Sequence, residues 1–334
     1  MMAAPPKSVL VYVGLDRIGD GLLKLPFVYG LRRIFPKARL TWLAGKETSV
    51  YAGVMAGAVD GLLDEVIEYG NVGLRPSELL HRPLAGRGFD LVIDTQRIFW
   101  VSLSLYRIPH KTFISPAANF LLSSRKPPPG YRRPKSMQRQ MLDLLELAGD
   151  RPVPDPKGFD LAPDPAAEKD AVALLPPGLP YVGIAPGSGG KPKCWPLERF
   201  ISIAKEQVAL GRRPVFILGP QETDWLGPLG RAVPEALFPL QEKGIAKAHG
   251  FSPQFTIALS KQFTVCLAND SGVGHMFALG GRPLVSLFGP TVAEKFMPMT
   301  KDLTLIRASD YGSKEMDAIP VEAVSAALKK ILNR

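Results

Sequence analysis

An α/β protein of two Rossmann-like domains facing a central cleft is the fold class this sequence predicts. Apolar runs of strand length alternate with helically spaced segments through both halves of the chain, the pattern of parallel sheets covered by helices. A stretch from Gly149 to Pro165, with prolines at 152, 154, 156, 163 and 165, interrupts that alternation once and can pack as neither helix nor central strand. At 334 residues the chain also exceeds one ordinary core. The expected domains are 1–160 and 161–334.

In the first half, Ser8 to Val13 is a continuous apolar strand. The polar loop Gly14 to Asp20 follows, then a helix from Gly21 to Phe35. Strands are expected at Arg39–Leu43, Glu65–Tyr69 and Phe89–Thr95, with a small-residue helix around Thr48–Met55. Ser136 to Ala148 reads as an amphipathic helix. Between Thr95 and Leu142 there is no Asp or Glu, yet nine Arg or Lys, among them Arg97, Arg132 and Arg133. Aromatic residues are interleaved with them. This segment reads as a flexible basic region for anionic groups, with plain surface and nucleic acid as competing readings. No nucleic-acid-binding motif accompanies it, so nucleic acid is not expected as a partner.

In the second half, a helix is expected at Ala167–Leu175 and a strand at Tyr181–Ala185. After that strand comes Pro186-Gly187-Ser188-Gly189-Gly190, a glycine-rich turn that suits either tight reversal or an anion. Helix Leu197–Ala209, strand Arg213–Leu218, short strand Ala236–Leu240 and helix Phe251–Leu259 follow. The most informative stretch is Phe263 to Thr291: strand, Asn269-Asp270-Ser271-Gly272, short helix, strand, Gly289-Pro290-Thr291. One cap residue would explain one polar side chain there, not three. Such a loop aims backbone N–H groups and a helix's positive end at one spot, which suits phosphate. The amides of Ser271, Gly272 and Val273 are the expected donors. The last helix, Val321–Leu332, is amphipathic and basic at its end.

Composition excludes several classes. Hydrophobic residues at 46% and charged residues at 22% are ordinary globular values. A formal charge of +10 favours anionic partners, or serves solubility alone. Two cysteines make no disulfide framework, the N-terminus is a poor signal peptide, and no apolar run spans a bilayer, so a cytoplasmic location with at most peripheral membrane contact is expected. The first loop lacks the G-x-G-x-x-G dinucleotide pattern and no Walker A loop occurs. Four scattered histidines and the lack of Asp-x-Asp indicate no metal site.

The residues Arg17-Ile18-Gly19-Asp20 with Pro26, Lys193-Cys194-Trp195-Pro196, Asn269-Asp270-Ser271-Gly272 with His275, and Phe288-Gly289-Pro290-Thr291 resemble the motifs of the ADP-heptose:lipopolysaccharide heptosyltransferases, glycosyltransferase family 9. The resemblance covers most of the chain. It implies the GT-B fold, with a nucleotide sugar, ADP-heptose, in the second domain, an anionic glycolipid of the lipopolysaccharide core in the first, and the last helix packing back towards the first domain. It implies Asp20 as the base that deprotonates the acceptor hydroxyl; on position alone Asp20 also reads as a helix cap. Lys193 would meet the diphosphate, aided by the 271–273 amides and by His275, whose alternative is a structural role. Ser188 and Gly189, in the glycine-rich turn, are expected to bind the donor. Glu222 would accept from the ribose hydroxyls or serve as a first-turn helix residue. Asp270 would meet a sugar hydroxyl, and Thr291 would lie near the nucleobase. Arg17 is either an acceptor contact or a solvated loop charge; Arg97, Arg132 and Arg133 are expected on the acceptor side. Neither metal nor cofactor is expected. Gly274 before His275 and the added Lys191-Pro192 depart from the family pattern. A different nucleotide-sugar enzyme, such as an epimerase, or a silent nucleotide-sugar binder are the alternatives.

Overall fold

The computed structural model describes residues 4–73, 75–154 and 164–333. The chain divides into two compact units, Met1–Asp155 and Pro156–Arg334. The expected boundary at 160/161 lies among residues 155–163, outside the described ones.

In the first unit the elements are β1 (Ser8–Val13), α1 (Ile18–Ile34), β2 (Arg39–Ala44), β3 (Glu65–Ile67), β4 (Phe89–Asp94), α2 (Phe99–Tyr106), β5 (His110–Ile114) and α3 (Met137–Gly149). The five strands form one parallel sheet in the order β3-β2-β1-β4-β5. β1 is central, and Val9 to Val13 are fully buried. A strand covered on both faces must be apolar at every position, which is why this one reads as a run rather than an alternation. α1 is buried along most of its first half, from Gly21 to Val28, and α3 lies against it.

Two expectations fail here. Thr48–Met55 forms turns, followed by a single 3₁₀ turn at Ala56–Ala58. Ser49, Val50 and Gly53 are weak helix formers, and the backbone there is used by tertiary bonds, such as Val50 N–H to the Asp16 carbonyl. The basic segment is also less open than expected, since it contains α2 and β5. Phe113 and Ile114 of β5 are fully buried, and Val101 and Leu105 of α2 are in the core. Arg139 is tied to Asp143, Glu146 and the Val153 carbonyl, and Arg125 to the carbonyls of Leu147 and Ala148.

The second unit contains α4 (Pro165–Leu174), β6 (Tyr181–Ala185), α5 (Leu197–Ala209), β7 (Arg213–Phe216), α6 (Leu226–Ala232), α7 (Lys243–Ala248), α8 (Pro253–Ser260), β8 (Val265–Asn269), α9 (Gly272–Leu279), β9 (Leu284–Phe288), α10 (Ala293–Phe296), β10 (Leu303–Arg307) and α11 (Val321–Leu332). Its parallel sheet runs β10-β9-β8-β6-β7. The strand expected at Ala236–Leu240 shrinks to one parallel bridge, Val215 to Leu237, because Pro239 opens a 3₁₀ turn. The apolar stripe of α11, Val324, Leu328 and Ile331, is consumed in the core of its own unit beside α5, and Glu206 of α5 receives Ser325 and Lys329.

Both sheets reverse strand order at one point: between β1 and β4 in the first unit, and between β6 and β8 in the second. Loops leaving the carboxyl ends of two such strands diverge and leave a crevice, the usual ligand position in open α/β sheets. In the second unit these are the loops after Ala185 and Asn269; in the first they are the loops after Val13 and Asp94.

Candidate functional site

The loop after β6 and the loop after β8 are bonded to each other. Asn269, fully buried at the end of β8, donates from Nδ2 to the Pro186 carbonyl at 2.7 Å and accepts the Trp195 N–H at 3.2 Å. Ser188 Oγ donates to the Asp270 carbonyl at 2.9 Å. Trp195 is buried under these turns, its indole N–H bound to the Ile319 carbonyl. One buried amide, donating to one turn and accepting from the other, thus ties the glycine-rich turn to the α9 entry and fixes their geometry.

Ser271 is the N-cap of α9, its Oγ accepting the Gly274 N–H at 3.3 Å. The N–H groups of Ser271, Gly272 and Val273 have no acceptor among the described residues. They stand at the positive end of the helix, where an anion is favoured.

The side chains around them are partly committed. Asp270, 8% exposed, was expected to meet a sugar hydroxyl. Its Oδ2 instead accepts from Lys193 Nζ at 3.0 Å and from Thr291 Oγ1 at 2.6 Å. Lys193 is therefore held beside the α9 N-terminus by a carboxylate rather than standing free. Thr291 belongs to the same group as Lys193 and Asp270. His275 is buried within the first helical turn; burial, with a smaller contribution from Lys193, outweighs Asp270 and drives its pKa down to about 4. It is a neutral imidazole at pH 7, able to donate one ring N–H.

Glu222 lies before a 3₁₀ turn, Thr223–Trp225, not in the first turn of an α-helix. It fills the space over two glycines: a Cβ on Gly187 would come within 2.4 Å of its carboxyl carbon, and one on Gly219 within 2.8 Å of an oxygen. Half-buried there, its carboxyl is pushed up by burial. The glycine at 187 is thus required by the carboxylate, not by a turn. Gly189 is exposed with open space around it.

In the first unit, Arg17 rather than Asp20 occupies the N-cap of α1, and it gives no side-chain cap bond. Asp20 is the third helical residue, half-exposed, and its carboxylate has no partner among the described residues. The cap reading therefore fails and the carboxylate is available. Arg17, Arg97 and Arg132 are exposed and make no ion pair among the described residues. Arg133 is exposed too, but it lines a cavity of about 60 Å³ with Lys24, Gln96, Tyr131 and Gln140.

Sequence reasoning missed Asp16 and Lys24. Asp16 is 3% exposed and accepts from Lys24 Nζ (2.8 Å), Trp42 Nε1 (2.9 Å) and Ser49 Oγ. The signal was present: Lys24 interrupts Leu22-Leu23 and Leu25 in a buried run, and a buried charge needs a partner. Asp94, fully buried between Ser102, Ser115 and the Gln96 N–H, was also missed; burial raises its carboxyl to about 6.

A sequence model of glycosyltransferase family 9 (heptosyltransferase) matches residues 79–322. The chain belongs to this family. Similar curated proteins include lipooligosaccharide heptosyltransferase 2 of Haemophilus influenzae, 29% identical over 174 residues, covering 49% of this chain and 48% of that protein. The chain spans about half the length of the curated relatives it matches. Among solved structures, the family 9 glycosyl transferase of Veillonella parvula has a TM-score of 0.71 at 20% identity, covering 98% of this chain and 97% of that one. Escherichia coli heptosyltransferase WaaC with ADP-2-deoxy-2-fluoro heptose has a TM-score of 0.66 at 17% identity, covering 97% and 99%. These likenesses show the fold: two parallel-sheet Rossmann-like domains of the GT-B class. Among the described residues of this family 9 chain, no group of three or more His, Cys, Asp or Glu stands together as a metal site, and no helix is long and apolar enough to cross a membrane.

Proposed function

We propose that this chain is a metal-independent, cofactor-free glycosyltransferase that moves a heptose from ADP-heptose, with inversion, to an anionic acceptor of the lipopolysaccharide-core type. The observation that carries the donor half is the joined pair of loops after β6 and β8. Three unspent amides at the α9 N-terminus stand there beside the Lys193 ammonium, a donor set suited to a diphosphate. The solved relative bound to an ADP-heptose analogue supports the same assignment.

As the glycosidic bond to the diphosphate breaks, negative charge grows on the leaving oxygen. Lys193 and the amides of residues 271–273 would meet it as fixed donors, and preorganised dipoles cost nothing to reorient during reaction. Neutral His275 donates a hydrogen bond there. Glu222, over Gly187 and Gly219, accepts from the ribose hydroxyls. Asp20, unpartnered in the first turn of α1, takes the proton of the attacking acceptor hydroxyl. Arg17, Arg97, Arg132 and Arg133 serve the acceptor's anionic groups. The protein acts in the cytoplasm and meets the inner membrane surface through its basic first unit.

The test pairs calorimetry with ADP, UDP and GDP against a transfer assay using ADP-heptose and lipopolysaccharide-core acceptors. ADP is expected to bind most tightly, and Asp20→Ala to abolish transfer while leaving ADP affinity intact. Equal affinity for the three nucleotides would reject the ADP assignment. Full transfer by Asp20→Ala would reject the base, and no turnover by the native chain with any donor would favour a silent binder.

A further inference from the structure

The cavity in the first unit lies where the carboxyl end of β4 meets α1 and α3. Its lining is divided. Met137, Met141 and Leu144, on one stripe of α3, form an apolar wall, while Lys24, Gln96 and Arg133 supply polar groups; no Asp or Glu lines it among the described residues. At about 60 Å³ it has room for about four to six waters. That is well below the ~300 Å³ of a site for a nucleotide-sized ligand.

Its two cations differ in origin. Lys24 is 5% exposed, and two of its three ammonium N–H groups are spent on the Leu15 carbonyl and Asp16 Oδ1, each at 2.8 Å. Lys24 lines the cavity, and its third N–H has no acceptor among the described residues. Asp16 cancels the lysine's charge, so the ammonium is tolerated in the interior yet still donates. Arg133 makes no ion pair or hydrogen bond among the described residues, so its charge is uncompensated. The other nearby carboxylate, Asp143, is taken by Tyr131 and Arg139.

We propose that this cavity is a binding site for one small anionic group, a carboxylate or a phosphate monoester, attached to an aliphatic portion that rests on Met137 and Met141. The anion completes the unspent Lys24 N–H and neutralises Arg133, and the thioether wall adapts to the apolar remainder. Lys24 stands four residues after Asp20 on α1, so the two side chains leave the helix on one face about 6 Å apart. The site thus deepens the acceptor reading and rests on it: it holds the acceptor's charged group one helical turn from the carboxylate that takes the hydroxyl proton.

The test is calorimetry on the full chain with its α9 anion site first saturated by ADP, using inorganic phosphate, butanoate and butanamide, butanoate's neutral counterpart. At least one anion is expected to bind and butanamide not to. Arg133→Gln should weaken anion binding by at least about tenfold, the loss of a charge-assisted contact. Lys24→Met alone would strand Asp16, so the Asp16→Asn/Lys24→Met pair is used, with the same loss expected. Tighter phosphate binding assigns a phosphate-bearing ligand; tighter butanoate binding assigns a carboxylate on an aliphatic stem. The proposal is overturned if neither anion binds, if butanamide matches butanoate, or if Arg133→Gln keeps wild-type affinity. ADP affinity, measured in the same samples, reports on the donor site separately, so its loss would count against the donor reading and not against this one.

Discussion

Lowering the pH should destabilise the second unit through His275. The imidazole is 7% exposed, and its pKa in the folded chain is about 4 against an ordinary 6.5. Between those values the unfolded chain binds a proton that the native one refuses, so stability is full above pH 6.5 and declines as pH falls. The slope is at most about 1.4 kcal/mol per pH unit, giving about 2 kcal/mol between pH 7 and 5 and about 3 kcal/mol by pH 4. His275→Gln removes the titrating group but keeps a polar side chain of similar reach. The assay is urea unfolding in a Trp42→Phe/Trp100→Phe background, where Trp195 and Trp225 report on the second unit. The stability difference between the chain that keeps His275 and the His275→Gln variant should shrink by about 2 kcal/mol from pH 7 to 5. A difference that stays flat across that range would show that the imidazole is accessible to protons in the folded state, and the burial argument would be wrong.

Asp94 should give the first unit the opposite slope. Its carboxyl is raised to about 6, so its contribution is full below the unfolded value near 3.8 and is lost as pH rises through 6. Asp94→Asn should flatten a decline of about 3 kcal/mol, read by urea unfolding with Trp42 as the reporter. Asp16→Ala leaves the Lys24 ammonium buried without its carboxylate, and should cost the first unit about 3–5 kcal/mol, visible as a lower urea midpoint. Removing both charges together should cost less than that single change. Gly187→Ala sets a methyl against the Glu222 carboxyl; ADP affinity in calorimetry should fall by about tenfold or more while the thermal midpoint moves little, since the side chain that must shift is half-exposed.

Several of these features were legible before any coordinates, for a local reason. Strand β6 and the Val9–Val13 run of β1 announce themselves because a strand covered on both faces is apolar at nearly every position, and α5 and α11 because one stripe of each is buried. The loops at 186–190 and 269–272 could be placed at strand ends from punctuation by glycine and short polar residues. α2 and β5 were hidden in the basic segment, since nine cations masked a core built from Val101, Leu105, Phe113 and Ile114. Thr48–Met55 misled in the other direction, because its backbone donors are committed to Asp16 and neighbouring turns.

What the chain's order of residues determined by itself was the family and the identities of the polar residues at the strand ends. Which of those groups are spent and which remain available is a matter of tertiary structure. Asp270 is occupied by Lys193 and Thr291, Asn269 by Pro186 and Trp195, and Asp16 by Lys24, whereas Asp20, Arg133 and the α9 amides are left without partners among the described residues. The physical reason is that spacing along the chain sets which groups sit at an element's end. Pairing partners 77 and 74 residues apart, as for Lys193 with Asp270 and Trp195 with Asn269, is set only when parallel strands bring their loops together.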